Sequence, residues 1–247
     1  MPMPTPFYHL NLAQDLLAHP ACPPLLADHS GPFFLGNIAP DAQNISGQTR
    51  EATHFFSVPM RDPAPAWHGM FDRHPVLARP AALPPARAAF NAGYICHLAL
   101  DQMWIAEIFD PVFGEAAPWG VFRERLFLHN ILRIYLDQRD YPALRPALGD
   151  TLGAARPDSW LPFLTDAAIA AWGTYVASQL AHGADAQTIE VFARRMGLHR
   201  ADFESLLQSP HAMQTRIFSR ISEHALADFR QRGLAHSLNV IASYLPG

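Results

Sequence analysis

Gly93-Tyr94-Ile95-Cys96-His97-Leu98-Ala99-Leu100-Asp101 is the stretch on which the fold turns. Steps of three and four residues connect Phe90, Tyr94, His97, Asp101, Trp104 and Ile108 into one stripe, the signature of a helix. The other side offers Ala92, Ile95, Ala99 and Met103, so the helix is apolar nearly all round and belongs at the centre of the molecule. Two polar residues share its apolar stripe. Even a neutral polar group buried without a partner costs about 2–7 kcal/mol, and an ionised Asp101 costs more unless something compensates it. A divalent cation would remove that cost. So would a hydrogen bond between His97 and Asp101, which their four-residue spacing permits, and this pair alone does not choose between the two.

Outward from that helix the chain continues in helical pattern, with proline at the joints and little strand-like alternation. Helices are expected near 8–18, 64–73, 84–109, 118–139, 142–153, 166–182, 186–197, 200–208, 212–231 and 234–244, giving an all-α, multi-helix bundle. Residues 32–63, rich in Asn, Gln, Ser, Thr and Pro, read as a long ordered loop, and loops of that length inside compact domains are usually functional or disordered. A composition shift near Arg156-Pro157-Asp158 separates a His- and aromatic-rich part from an Ala-rich helical part. The expected organisation is a metal-binding helical core at 1–155, with a C-terminal helical region at 156–247 packed on it, the two forming either separate units or one continuous domain.

Composition narrows the chemistry. With 247 residues, 49% of them hydrophobic, the chain can bury a sizeable core. All 18 basic residues are Arg. Absence of Lys excludes Schiff-base chemistry, a Walker lysine and a kinase strand lysine. No Gly-rich dinucleotide fingerprint and no Gly-x-Ser-x-Gly elbow occurs. A net charge of -4 without a basic block argues against nucleic-acid binding driven by counterion release. No run approaches the roughly 20 apolar residues of a membrane span, and the first residues lack a signal-peptide pattern, so a cytoplasmic protein is expected. Cys22 and Cys96 are too few for a disulfide framework, and Cys96 reads as a packing residue.

Two more metal-type residues lie upstream. Phe33-Phe34-Leu35-Gly36-Asn37-Ile38-Ala39-Pro40-Asp41 sets a carboxylate directly after an apolar run, and Arg50-Glu51-Ala52-Thr53-His54-Phe55 follows. Asp41, His54, His97 and Asp101 are together four hard or borderline ligands in apolar surroundings, a set that favours a metal over a simple hydrogen-bonded pair.

Over mainly the first 140 residues, these motifs resemble the zinc-dependent phospholipase C family of α-helical metallohydrolases, whose wider relatives include the single-strand-specific zinc nucleases. The resemblance rests on the Phe-Leu-Gly-x-Ile-Ala-Pro-Asp run ending at Asp41, the Arg-Glu-Ala-Thr-His-Phe stretch, and the Gly-Tyr-x-x-His-x-x-x-Asp helix. It implies a site for one or two zinc ions, with Asp41, His54, His97 and Asp101 as core ligands, His9 as an additional N-terminal ligand and Asp101 as a bridge. The family's downstream His, His and Glu group has no counterpart at matching spacing here. His129 is a candidate ligand or a hydrogen-bond partner behind one, and a buried His bonded to a backbone carbonyl is an equal reading.

The chemistry implied is hydrolysis, with a phosphoester as the expected substrate, through water activated by the metal. Asp41 would be both ligand and general base. Arg50 is a candidate clamp for an oxygen of a small anionic substrate, against the alternative of a surface ion pair with Glu51 or Asp62. Tyr94 reads either as core or as pocket lining. His19, His29, His74 and His182 stand at apparent helix ends, His68 lies on a short helix beside Trp67, and His224 with Asp228 reads as a solvated face. A different redox reading starts from Glu51-x-x-His54, one unit of the kind that helical di-iron proteins use in pairs. In a third, the metal is structural and the protein is a helical binding module.

Overall fold

The computed structural model describes residues 3–144, 147–181 and 186–245. Every regular element among them is helical, which agrees with the all-α reading. Positions 145–146 and 182, at the edges of two expected helices, lie outside the described residues.

The helix Pro85–Trp104 is the central element, entered through Pro84-Pro85 and buried continuously from Ala88 to Gln102. Three helices pack around it. Ser30–Gly36 crosses it at the closest approach in the fold, because a Cβ on Gly36 would collide with the Phe90 carbonyl and one on Gly93 with the Phe33 carbonyl. These two glycines let the backbones touch, and they thereby set the residues after Gly36 against the His97 face. Glu223–Tyr244 packs on another side, where a Cβ on Gly233 would lie 3.0 Å from Leu100 Cδ1. Ala66–Arg73 is the third.

The first helix, Pro6–Ala18, packs against both Glu223–Tyr244 and Phe122–Asp140. Its start is fixed by Thr5, whose hydroxyl accepts from Tyr8 N–H and donates to the buried Asp137 carboxylate of the Phe122–Asp140 helix. Asp137 also accepts from Thr188 Oγ1 at 2.6 Å, which draws the helix Thr188–Met196 to the same point. One contiguous cluster of buried apolar side chains runs from Met3 to Tyr244, across the composition shift at 155/156. No helix among the described residues is long and apolar enough to cross a membrane.

Two expectations need correction. Residues 32–63 are not one loop: the helix Ser30–Gly36, a 3-10 turn Ala39–Ala42 and short helices Gln43–Ser46 and Arg50–His54 follow in succession. Each is too short to display a helical period and owes its form to packing rather than propensity. The two helices expected over 212–231 and 234–244 are instead a short element, Pro210–Met213, running into a π turn to Phe218, followed by one long helix, Glu223–Tyr244. Ser222 caps that helix by accepting from Ala225 N–H, and Gly233 passes through its interior as a contact surface rather than a break. The central helix likewise ends as an α-helix at Trp104 and continues as a π turn to Phe113, with Pro111 inside.

Candidate metal centre

Five side chains converge from four elements: His9 from the first helix, Asp41 from the Ala39–Ala42 turn, His54 from Arg50–His54, and His97 with Asp101 from the central helix. His9, His54, His97 and Asp101 are at most 1% exposed, while the Asp41 side chain keeps 13%. Their ligand atoms form two groups, His9 with His97 and Asp101, and Asp41 with His54 and His97, each within 4.8 Å throughout.

His97 belongs to both groups, and Asp101 reaches from the first toward His54 of the second. Its Oδ1 is 3.3 Å from His9 Nε2, and its Oδ2 is 3.5 Å from both His54 Nε2 and His97 Nε2. His54 Nε2 is 3.8 Å from Asp41 Oδ1. Hydrogen bonds of this kind run about 2.7–3.2 Å. Tetrahedral ligands at about 2.0–2.1 Å from zinc are separated from one another by about 3.3–3.4 Å, so these spacings match the edges of a coordination polyhedron better than direct bonds. The Nε2 atoms of His9, His54 and His97 and Oδ1 of Asp101 are all buried without a hydrogen bond. Such atoms are rare in folded proteins and call for an explanation, and a cation in each of the two groups would satisfy them.

Two of the imidazoles are held in the ligating tautomer. His97 Nδ1 donates to the Asn37 carbonyl at 2.7 Å, so its Nε2 presents a lone pair inward. That carbonyl is in place because of the Gly36–Gly93 crossing. His54 Nδ1 is 2.9 Å from Thr53 Oγ1, and since Thr53 donates to the Arg50 carbonyl at 3.2 Å, its oxygen accepts from His54. The loop carrying His54 is tied to the central helix by Tyr94, whose hydroxyl donates to the Thr53 carbonyl at 2.6 Å. Tyr94 is therefore core, and acts by positioning. Phe55 closes the His54 helix in the left-handed region, at φ 61°, and turns the chain so that the Phe56 carbonyl meets Arg50.

Electrostatics hold His9, His54 and Asp101 in the form that binds a metal, whereas His97 and Asp41 are shifted toward their protonated forms, from which a bound cation would displace the proton. Burial, reinforced by His97, lowers His9 to about 4, and burial with Arg50 holds His54 well below the usual imidazole range, so both are neutral with lone pairs available. Burial would lower His97 as well, but Asp101 outweighs it and leaves His97 raised. Burial works against the Asp101 anion, yet the attraction of His97 and His9 prevails and holds it well below the ordinary carboxylate range. Asp41 is raised, chiefly by burial.

The other site expectations fare unevenly. Arg50 is not a surface ion pair with Glu51 or Asp62: it donates to Asp101 Oδ2 at 3.1 Å and to the Phe56 carbonyl at 3.2 Å, over the Phe56 ring, and it also lines a cavity with Val58, Phe109 and Leu126. Glu51 is exposed, so the Glu51-x-x-His54 unit does not assemble. His129 joins neither ligand group; its Nε2 accepts from Trp104 Nε1–H at 3.0 Å, and its ring packs against Phe109 and Phe113. His68 is exposed beside Trp67, and His224 with Asp228 forms an exposed pair at 3.4 Å. His19, His29 and His74 occupy helix ends, and His182 lies outside the described residues. Cys96 is buried and Cys22 half-buried, both as free thiols.

Sequence reading passed over the roles of three residues. Asn37 and Thr53, whose oxygens fix the two imidazoles, lie inside the two upstream motifs but have no type signature. Arg133, on the Phe122–Asp140 helix, is 5% exposed and lies over the Phe192 ring with its Nη1 donating to Asn130. Burial pulls it down to about 10 against the pull of Asp137 and Asp41, so it stays cationic at neutral pH.

No family model, curated protein or solved structure matches the chain.

Proposed function

We propose that the protein is a zinc-dependent hydrolase acting on a phosphoester, related in its site to the zinc-dependent phospholipase C family. The observation that carries this reading is the buried His9, Asp41, His54, His97 and Asp101 cluster, in which the Nε2 atoms of His9, His54 and His97 and Oδ1 of Asp101 have no hydrogen bond. When bound, zinc supplies a Lewis acid and lowers the pKa of water toward about 7.

The chain's own residues divide the remaining work. Asp101 and Arg50 hold each other, which keeps the carboxylate oriented toward three imidazoles. Asn37 and Thr53 lock His97 and His54 in the tautomer that ligation needs. Asp41 is the one member of the cluster that keeps appreciable exposure and lines a cleft, so it is the group placed to take a proton from a water entering there. Arg133, rather than Arg50, lies on the same cleft and supplies a cation for the substrate's phosphoryl oxygens.

Two measurements test the reading. Plasma mass spectrometry on protein purified without added metal or a histidine tag should find about one or two zinc per chain, lost or halved in Asp101→Asn. Phosphomonoester, phosphodiester and phospholipid substrates, assayed with and without chelator, should include one whose turnover the chelator abolishes. Zinc-free protein even after reconstitution, or no chelator-sensitive turnover in any class, would sink the proposal. Bound iron would favour redox chemistry.

A further inference from the structure

Asp41 and Arg133 are the most deeply set charged groups of a cleft between the N-terminal segment and the helices Asp166–Gln179 and Thr188–Met196. Its enclosed part is about 70 Å³, less than the roughly 300–1,000 Å³ of a fully enclosing small-molecule site, so a ligand here lies partly in the open mouth. His9, His54, His97 and Asp101 do not line it, so Asp41 is its one connection to the cluster.

Its chemistry has two parts. Arg133 lies inside and the exposed Arg195 at the rim, two guanidinium groups against the single Asp41 carboxylate. Arg133 is fixed before any ligand arrives, by Asn130 Oδ1 at 3.0 Å and by the Phe192 ring at 4.3 Å, and Arg195 is held to Asn44 Oδ1 at 3.1 Å. Planar forks held this way suit the oxygens of a phosphoryl group. The rest of the lining is largely apolar: Trp172, stacked on Tyr175 at 5.4 Å, stands with Val176 on one helix, and Val191 with Phe192 on the other. Trp172 cannot swing away, because its indole N–H donates to the Ile38 carbonyl at 2.9 Å, in the chain leading to Asp41.

We propose that this cleft is the substrate site, and that it takes a small phosphoester anion carrying one aromatic or compact apolar group. Phosphoryl oxygens meet Arg133 and Arg195 beside Asp41, and the apolar group lies against Trp172 and Phe192. The assignment rests on the hydrolase reading for its chemistry, and its binding test stands apart from turnover.

Calorimetric titration of the full, zinc-loaded chain with phenylphosphonate, methylphosphonate and a short-chain phosphatidylcholine below its micellar concentration tests the assignment. Phenylphosphonate should bind at least about tenfold tighter than methylphosphonate, about 1.4 kcal/mol. Arg133→Gln should weaken both phosphonates about tenfold, and the surface variant Arg195→Gln repeats the charge test where Arg133→Gln does not fold. Val191→Trp, at the half-buried rim, should weaken phenylphosphonate alone. Equal binding of the two phosphonates, wild-type binding in all three variants, or tighter binding of the lipid would overturn the assignment. Phosphonate selectivity without chelator-sensitive turnover would overturn the hydrolase reading and leave the cleft standing. Turnover unchanged in all three variants would do the reverse.

Discussion

Asp101 and Asp41 are the same residue type at two ends of one cluster, and their surroundings give them opposite properties. Asp101 has no exposure, faces His9, His54 and His97, and is paired with Arg50. Asp41 faces His54 at 3.8 Å, keeps 13% of its side chain exposed and opens on the cleft. Burial opposes both charges, but at Asp101 the attraction of His97 and His9 prevails and favours the anion, whereas at Asp41 burial dominates. A carboxylate that gathers ligands has to be enclosed by them, and one that meets a substrate has to keep an open side.

The contrast breaks most severely at Asp101. In chelator-treated protein, Asp101→Asn leaves Arg50 buried without its counter-charge, and urea denaturation should show a loss of about 3–5 kcal/mol. The sign with pH follows from linkage. A carboxyl held below its unfolded value contributes stability that is present above the unfolded pKa, about 3.9, and is lost as pH falls through the folded value. Wild-type protein should therefore lose stability in acid faster than the variant, and parallel acid profiles would refute the role given to Asp101.

Asp137 sharpens the comparison, since it is equally buried but faces hydroxyls, Thr5 and Thr188, instead of imidazoles. Burial raises it to about 7, with the two hydroxyls pulling the other way. Because the folded value is above the unfolded one, the folded state holds the extra proton between about pH 4 and pH 7, and stability falls as pH rises through that window. The slope is at most about 1.4 kcal/mol per pH unit. Asp137→Asn should flatten the denaturation midpoint over that range, and an unchanged slope would count against it.

Asp41→Asn should have the smallest effect on stability, within about 1 kcal/mol in chelator-treated protein, because it removes a charge that burial already opposes. Turnover should still fall about 10²–10⁴-fold if Asp41 is the general base. A large loss of stability with turnover retained would reverse the division of labour between the two carboxylates.

Much of this was legible in the residues. The stripe from Phe90 to Ile108 placed His97 and Asp101 on a buried face, and the structure puts that helix at the centre. The two upstream motifs supplied Asp41 and His54. His9 came from the resemblance alone, since one histidine on an apolar helix has no pattern of its own. Residues 32–63 were misread because turns of four to seven residues have no measurable period. The pairing of Arg50 with Asp101 was not legible because the two are 51 residues apart, and the setting of Arg133 was not legible because it depends on Phe192 and a helix from the far half of the chain.

By itself the sequence determined the helical class, the central helix and the ligand types, because hydrophobic period and residue chemistry are local properties. Only the tertiary structure decided which nitrogen of each imidazole faces inward, and which carboxylate is enclosed and which opens on a cleft. Those depend on distances between residues remote in sequence, set by the close crossing at Gly36 and Gly93 and by the hydroxyls gathered on Asp137.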